Sequence, residues 1–170
     1  MSLEPPRPGA PQPRTLRVRP ADPQDAVALG TLIAALNRGE GNPCLVGAGD
    51  LQRDLIGRAL VFVAEGADRR LLGYATGHAT YETGHAECGV YVGDLFVVPE
   101  HRRQGIARAL LAALARAGHE QGARHLWLTA QPRNTAAHAF YRRLGSRGES
   151  VLAFAVVQQD FLNLAAEATP

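Results

Sequence analysis

Asp94-Leu-Phe-Val-Val-Pro-Glu-His-Arg-Arg-Gln-Gly-Ile-Ala-Arg108 reads as a strand, a short loop and the start of a helix. The apolar residues belong to a strand over 90–98, closed by Pro99, which has no N–H to give a ladder. Ile106, Leu110, Leu114 and Ala117 recur at helical spacing and predict a helix over 104–121. The loop between them delivers the first N–H groups of that helix with no intrahelical acceptor. Those donors and the positive end of the helix dipole form an anion site. Gly105 removes the side chain where an anion must approach the backbone, and Ala107 keeps the next turn shallow. Arg102, Arg103 and Arg108 add positive charge around the loop. A lone Gly-x-Ala turn is weak evidence, since glycines open helices for geometric reasons alone.

Outward from this stretch the chain reads as one domain over 15–168. Residues 1–14 hold five prolines and too little apolar surface to repay ordering, and read as a flexible tail. Leu16–Arg19 alternates as a short strand. Asp22 and Pro23 signal a helix start, followed by an apolar stripe of Ala26, Leu29, Leu32, Ile33 and Leu36. A second short helix is expected over 50–56. Strands over 59–65 and 71–80 form a hairpin, and 81–87 reads as a polar loop. After the central helix come a strand over 125–130, a helix over 134–144 ended by Gly145, a strand over 150–157 and a helix over 160–168. The fold class is α/β (α+β): a mixed sheet with helices on both faces.

Composition narrows the function. The chain has 170 residues, 46% of them hydrophobic, a normal balance for a globular domain with its own core. Its two cysteines cannot build a disulfide framework or a four-ligand zinc site, and no metal is expected. No apolar run is long enough to span a membrane and no secretory leader is apparent, so the expected setting is cytoplasmic. All eighteen basic residues are Arg, which excludes a Schiff-base lysine and a Walker-type phosphate loop. Residues 1–100 carry nine Arg against twelve acids, whereas 101–170 carry nine Arg against four. A basic half suits a polyanion and an acidic half a cation. Nucleic acid is disfavoured, because the Arg are not dense and few aromatics accompany them.

A second constellation is Asn134-Thr-Ala-Ala-His-Ala-Phe-Tyr-Arg-Arg-Leu-Gly145. Asn134, Ala137 and Tyr141 share one helix face, while Phe140 and Leu144 turn toward the core. Taken together, the two segments resemble the GNAT superfamily of acyl-CoA-dependent N-acetyltransferases. Arg102-Arg-Gln-Gly-Ile-Ala107 matches its pyrophosphate motif, and Asn134, Ala137, Phe140, Tyr141 and Gly145 match its downstream helix. Ser146 stands where that family often has Phe.

The resemblance implies a mostly antiparallel sheet with a splayed central strand pair. It implies acetyl-CoA as co-substrate, with Leu95, Phe96 and Val97 pairing with the pantetheine arm. Arg102, Arg103, Gln104, Gly105, Ile106, Ala107 and Arg108 would hold the pyrophosphate, and Asn134 would sit near the pantetheine. An N–H near Val97 would polarise the thioester carbonyl. Tyr141 would protonate the leaving thiolate. Many relatives place a Glu as base on the fifth strand, where this chain has Thr129. Candidate bases are Glu82, His85, Glu87, His78 and Asp94, of which Asp94 is preferred because it immediately precedes the cofactor segment.

The region 81–144 resembles spermidine/spermine N-acetyltransferases most, although Gly93 replaces an acidic residue of that subgroup. The expected acceptor is a primary amine on a small cationic molecule. From Glu65 to Glu100 six acids stand against two Arg, a stretch suited to steering cations. Alternatives are a protein N-terminal or aminoglycoside-type acetyltransferase, or a non-catalytic acyl-CoA sensor. The final strand could pair in a homodimer, as is common in the family.

Overall fold

The computed structural model describes residues 16–168, so the tail expected over 1–14 lies outside the described residues. These residues form two compact units that divide after Thr129.

The first unit is built on a five-stranded sheet in sequential order. Its strands are β1 (Arg17–Pro20), β2 (Leu60–Glu65), β3 (Leu71–Glu82), β4 (Glu87–Val97) and β5 (His125–Leu128). The first four run antiparallel, and β4 pairs with β5 in parallel. Helix α1 (Ala26–Glu40) packs on one face, and α3 (Ile106–Glu120) on the other. A short helix α2 (Ala48–Asp50) runs into a π-helical turn over Leu51–Leu55.

Asp22 starts the first helical segment as anticipated. Its carboxylate accepts from Gln24 N–H at 2.8 Å, and Asp25 returns the favour to Asp22 N–H at 2.9 Å. Beneath α1 the core gathers Leu29, Leu32, Ile33, Val63, Tyr74 and Phe96. On the opposite face Leu110 and Leu114 of α3 are fully buried. A Cβ placed on Gly118 would lie 2.5 Å from Val90 Cγ2, so α3 packs on the sheet too closely there for any side chain.

Two expectations are corrected. The stretch 81–87 is not all loop: β3 runs to Glu82 and β4 starts at Glu87, with only a tight turn between. Backbone pairing sustains this exposed end, where polar side chains hide the strand from a hydrophobicity pattern. The strand expected over 150–157 does not form. A strand needs a ladder partner, and none is present among the described residues; Val151, Leu152, Phe154, Val156 and Val157 are all exposed. The second unit consists of α4 (Thr135–Arg143), this irregular segment and α5 (Gln158–Ala166).

One ion cluster ties β1 to the start of the first helical segment and to β2. Arg19 reaches Asp25 at 2.6 Å and Glu65 at 2.7 Å, and all three side chains are mostly enclosed. Arg19→Leu would leave two mostly enclosed carboxylates without a counter-charge. The expected loss is about 3 kcal/mol in urea unfolding at pH 7. The hydrogen bond from Arg19 holds the Asp25 carboxyl below its ordinary value of 3.8, so this contribution is present above that value and disappears as acid protonates Asp25.

Candidate active site

The parallel ladder between β4 and β5 is short. It joins Gly89 to His125 and ends at Val92 and Leu128. The Tyr91 and Trp127 rings meet at 5.1 Å, and Tyr91 Oη shares a 3.4 Å contact with Thr129 Oγ1. Thr129 therefore serves this clamp. Beyond it β4 continues to Val97 with no strand on its β5 side among the described residues. This is the splayed pair that the resemblance implies.

The opening coincides with a β-bulge. Thr76 stands opposite both Gly93 and Asp94, between the pairs Gly77–Val92 and Ala75–Leu95. The Asp94 N–H donates to the buried Thr76 hydroxyl at 2.9 Å. The extra residue reverses the alternation of β4. Val90 faces α3, whereas Asp94 and Phe96 face the α1 side. A Cβ on Gly93 would lie 3.0 Å from Thr76 Oγ1, so an acidic residue there would crowd the bulge.

Past the bulge, Val98 N–H donates to Leu72 C=O at 2.9 Å. By antiparallel alternation Phe96 exchanges its bonds with Tyr74, while Leu95 and Val97 aim theirs at the open edge. Phe96 points its ring into the core. The Val97 carbonyl is taken by Arg102 Nε at 2.9 Å, and the Arg102 guanidinium lies 5.9 Å from the Phe96 ring centre.

After a 3-10 turn over Pro99–His101 the chain enters α3 through Gly105, whose φ of 82° favours glycine. A Cβ there would meet nothing within 4 Å, so the space beside the backbone is open. Arg103 is also left-handed, at φ 62°. Ala109 N–H makes the first bond into the helix, to Gly105 C=O, and no side chain caps the helix start. The N–H groups of Ile106, Ala107 and Arg108 are thus presented outward, as an anion requires. Beside this loop a cleft of about 360 Å³ is lined by Gly66, Asp68, Leu72, His101, Gln104 and Ile106. Asp94 does not line it.

Asp94 is set apart from the other candidate bases. Burial raises its carboxyl above the usual range and Glu40 adds to this, whereas Tyr74 and His78 oppose it. Glu82 and His85 pair at 3.1 Å across the exposed hairpin turn, and Glu87 lies 3.8 Å from His125. That turn is seven residues along β4 from Asp94, about 20 Å of strand. Glu40, Tyr74 and Thr76 escaped the sequence reading, since only the bulge brings them beside Asp94. No cluster of three or more metal-ligating residues occurs among the described residues.

In the second unit, Asn134 Oδ1 caps α4 by accepting from Ala137 N–H at 3.1 Å. Gly145, at φ 89°, ends it, with Ser146 N–H reaching back to Tyr141 C=O. Burial pushes the Tyr141 phenol upward, so it keeps its proton at neutral pH. Phe140 lies beside it at 5.2 Å, but no residue of α4 is fully buried and Leu144 is 37% exposed. The core-facing role expected of Leu144 is therefore not met.

Residues 31–146 match the acetyltransferase (GNAT) family, to which this chain belongs. Streptothricin acetyltransferase of Streptomyces lavendulae is 39% identical over 84 residues, 49% of this chain and 42% of that protein. An aminoglycoside N(6')-acetyltransferase type 1 of Salmonella typhimurium is 34% identical over 56 residues, 33% of this chain and 39% of that protein. The matches thus span about two fifths of these curated relatives. Among solved structures, aminoglycoside N-acetyltransferase AAC(6')-Iy in complex with CoA superposes with a TM-score of 0.74 at 23% identity, over 86% of this chain and 97% of that one.

The raised Asp94 carboxyl has a signature in stability. The folded state holds its proton more tightly than the unfolded state, so the penalty from Asp94 is absent below pH 3.8 and grows as pH rises through the folded value. Asp94→Asn removes that penalty. Chemical denaturation is expected to find the variant more stable than the parent at pH 7, with the gain vanishing toward pH 4.

Proposed function

We propose that this chain is an acetyl-CoA-dependent N-acetyltransferase acting on a primary amine of a small polycationic molecule, with residues 15–168 as a single catalytic domain. The observation that carries the reading is the unpaired edge of β4, with Asp94 at its head and the open turn at Gly105 beyond its end. Arg102, Arg103, Gln104, Gly105, Ile106, Ala107 and Arg108 fit a pyrophosphate, because the turn offers outward N–H groups, positive charge and room beside the backbone. Leu95 and Val97 present the edge groups for an extended arm, and Phe96 fixes their direction from the core. Asn134 belongs to the same proposed cofactor set, with its amide nitrogen as the donor that its capping oxygen leaves available.

Bound acetyl-CoA supplies the thioester whose acetyl group is transferred. Val97 N–H donates to the acyl oxygen and stabilises the charge that develops there. An amine is an ammonium ion at neutral pH and must lose a proton before its nitrogen can form the new C–N bond. Asp94 takes that proton, a role helped by a carboxyl raised toward neutrality. Tyr141 gives its proton to the departing sulfur as the C–S bond breaks, and the second proton, shed by the newly acylated nitrogen, restores the phenol.

The acceptor class is supported from two directions. Glu40 and Asp94 put negative charge on the α1 side of the bulge. The named relatives act on streptothricin and aminoglycosides, which favours the aminoglycoside-type alternative over the spermidine/spermine subgroup. A cytoplasmic setting agrees with the free cysteines Cys44 and Cys88. A homodimer is supported by the exposed apolar residues of 151–157, and light scattering of the purified chain tests it.

Three experiments test the reading. Gly105→Glu is expected to weaken CoA binding roughly tenfold or more by calorimetry, about 1.4 kcal/mol. Gly105→Asn, which tolerates positive φ, isolates the charge from the backbone; unchanged affinity in the Glu variant would remove the phosphate site from this turn. In an amine panel with acetyl-CoA, polyamines and aminoglycosides are expected to release thiol faster than neutral amines, and added salt to narrow the difference. Tyr141→Phe is expected to lower kcat on the best acceptor by ~10²–10⁴. Neutral amines or protein N-termini reacting fastest, with no salt effect, would sink the cationic acceptor.

A further inference from the structure

A tyrosine hydroxyl lies buried behind Asp94, near enough for the two side chains to act on each other but with no hydrogen bond of good geometry. Tyr74 is 0% exposed, and its Oη has no partner in bonding geometry. Such a group is uncommon, because it loses its hydration and gains nothing in return. Packing does not require it. Tyr74 lies in the core opposite Phe96, ring centres 6.3 Å apart, where a phenylalanine would make the same apolar contacts.

The topology shows what the hydroxyl faces. Tyr74 and Thr76 lie two apart on β3 and share a face, as Asp94 and Phe96 do on β4. The bulge puts all four on the α1 side. Thr76 holds the Asp94 backbone, and Tyr74 lies diagonally across from the Asp94 side chain. The charged group that acts most on Tyr74 is Asp94, ahead of Cys44 and Glu40. Around Asp94 stand Glu40 at the end of α1 and His78 and Tyr74 from β3, with Cys44 from the segment after α1 acting on Tyr74.

We propose that Tyr74 is a positioning residue for Asp94: its O–H turns onto the carboxylate whenever Asp94 is charged, keeping it charged and aimed at the amine. The proposal rests on the assignment of Asp94 as the acceptor-side base. Tyr74 keeps its proton throughout. The proton lost by the amine goes to Asp94, whose neutral form is the poorer acceptor and releases the phenol. Burial and Glu40 favour the neutral carboxyl, and Tyr74 is the larger of the two contacts that favour the charged one. Without the phenol O–H, Asp94 would hold its proton to higher pH.

The test is the pH profile of kcat/KM for one amine in Tyr74→Phe and in the parent, so that the amine's own ionisation cancels. The expected result is an acid limb moved to higher pH, a severalfold loss below the limb, an unchanged plateau and no loss of thermal stability. Replacing Tyr74 with 3-fluorotyrosine keeps the shape and makes a stronger donor, so the limb is expected to move to lower pH. Carboxyl-carbon NMR of Asp94 in the substrate-free protein should titrate in the same directions. An unmoved limb and unmoved Asp94 titration in both variants would overturn the proposal. Asp94→Asn separates the two levels. If that variant keeps the parent's activity and acid limb, the assignment of Asp94 as base fails. The NMR titration still decides whether Tyr74 and Asp94 are coupled.

Discussion

The site depends on one constraint: the ladder between β4 and β5 stops at Val92 and Leu128 while β4 runs on to Val97. A parallel pair that continued would consume the outward N–H and C=O groups of Leu95 and Val97. The Tyr91–Trp127 contact and the Thr129 hydroxyl fasten the paired half. The bulge at Gly93–Asp94 then re-aims the free half. From that point an edge with no ladder partner, its Val97 carbonyl held by Arg102, leads toward the outward N–H groups of α3.

The same arrangement explains where the fold accepts unfavourable terms. A bulge forfeits regular pairing, a carboxyl is drawn partly out of water at Asp94, and a phenol is left unbonded at Tyr74. Buried polar groups without full compensation each cost on the order of 1–3 kcal/mol. The core offsets them from both sides, with Leu29 and Val63 on the α1 face and Leu110, Leu114 and Val90 on the α3 face. Arg102 adds a brace: by accepting its Nε–H, the Val97 carbonyl joins the turn before α3 to the end of the strand.

Much of this was legible in the sequence because its signals are local. The apolar period of α3, the Asp22–Pro23 start, the Asn134 cap and the Gly145 stop each lie within one turn of the element they define. Asp94 could be singled out by its place before the segment proposed to meet the cofactor. Its neighbours could not, because Thr76, Tyr74 and Glu40 approach it through pairing and packing across long stretches of chain. The pairing of Phe96 was hidden for a related reason. Three consecutive residues look alike in sequence, but strand alternation gives the open edge only to the outer two. The apolar run over 150–157 shows the opposite failure, since composition reports β-propensity and not the presence of a partner.

Hydrogen–deuterium exchange, read at single-amide resolution with and without saturating CoA, tests the central claim most directly. The account predicts that the amides of Leu95, Val97, Ile106, Ala107 and Arg108 slow together when CoA binds, while those of the hairpin turn at 83–86 do not. Binding of CoA with these five amides unchanged, or with protection confined to another part of the chain, would contradict it.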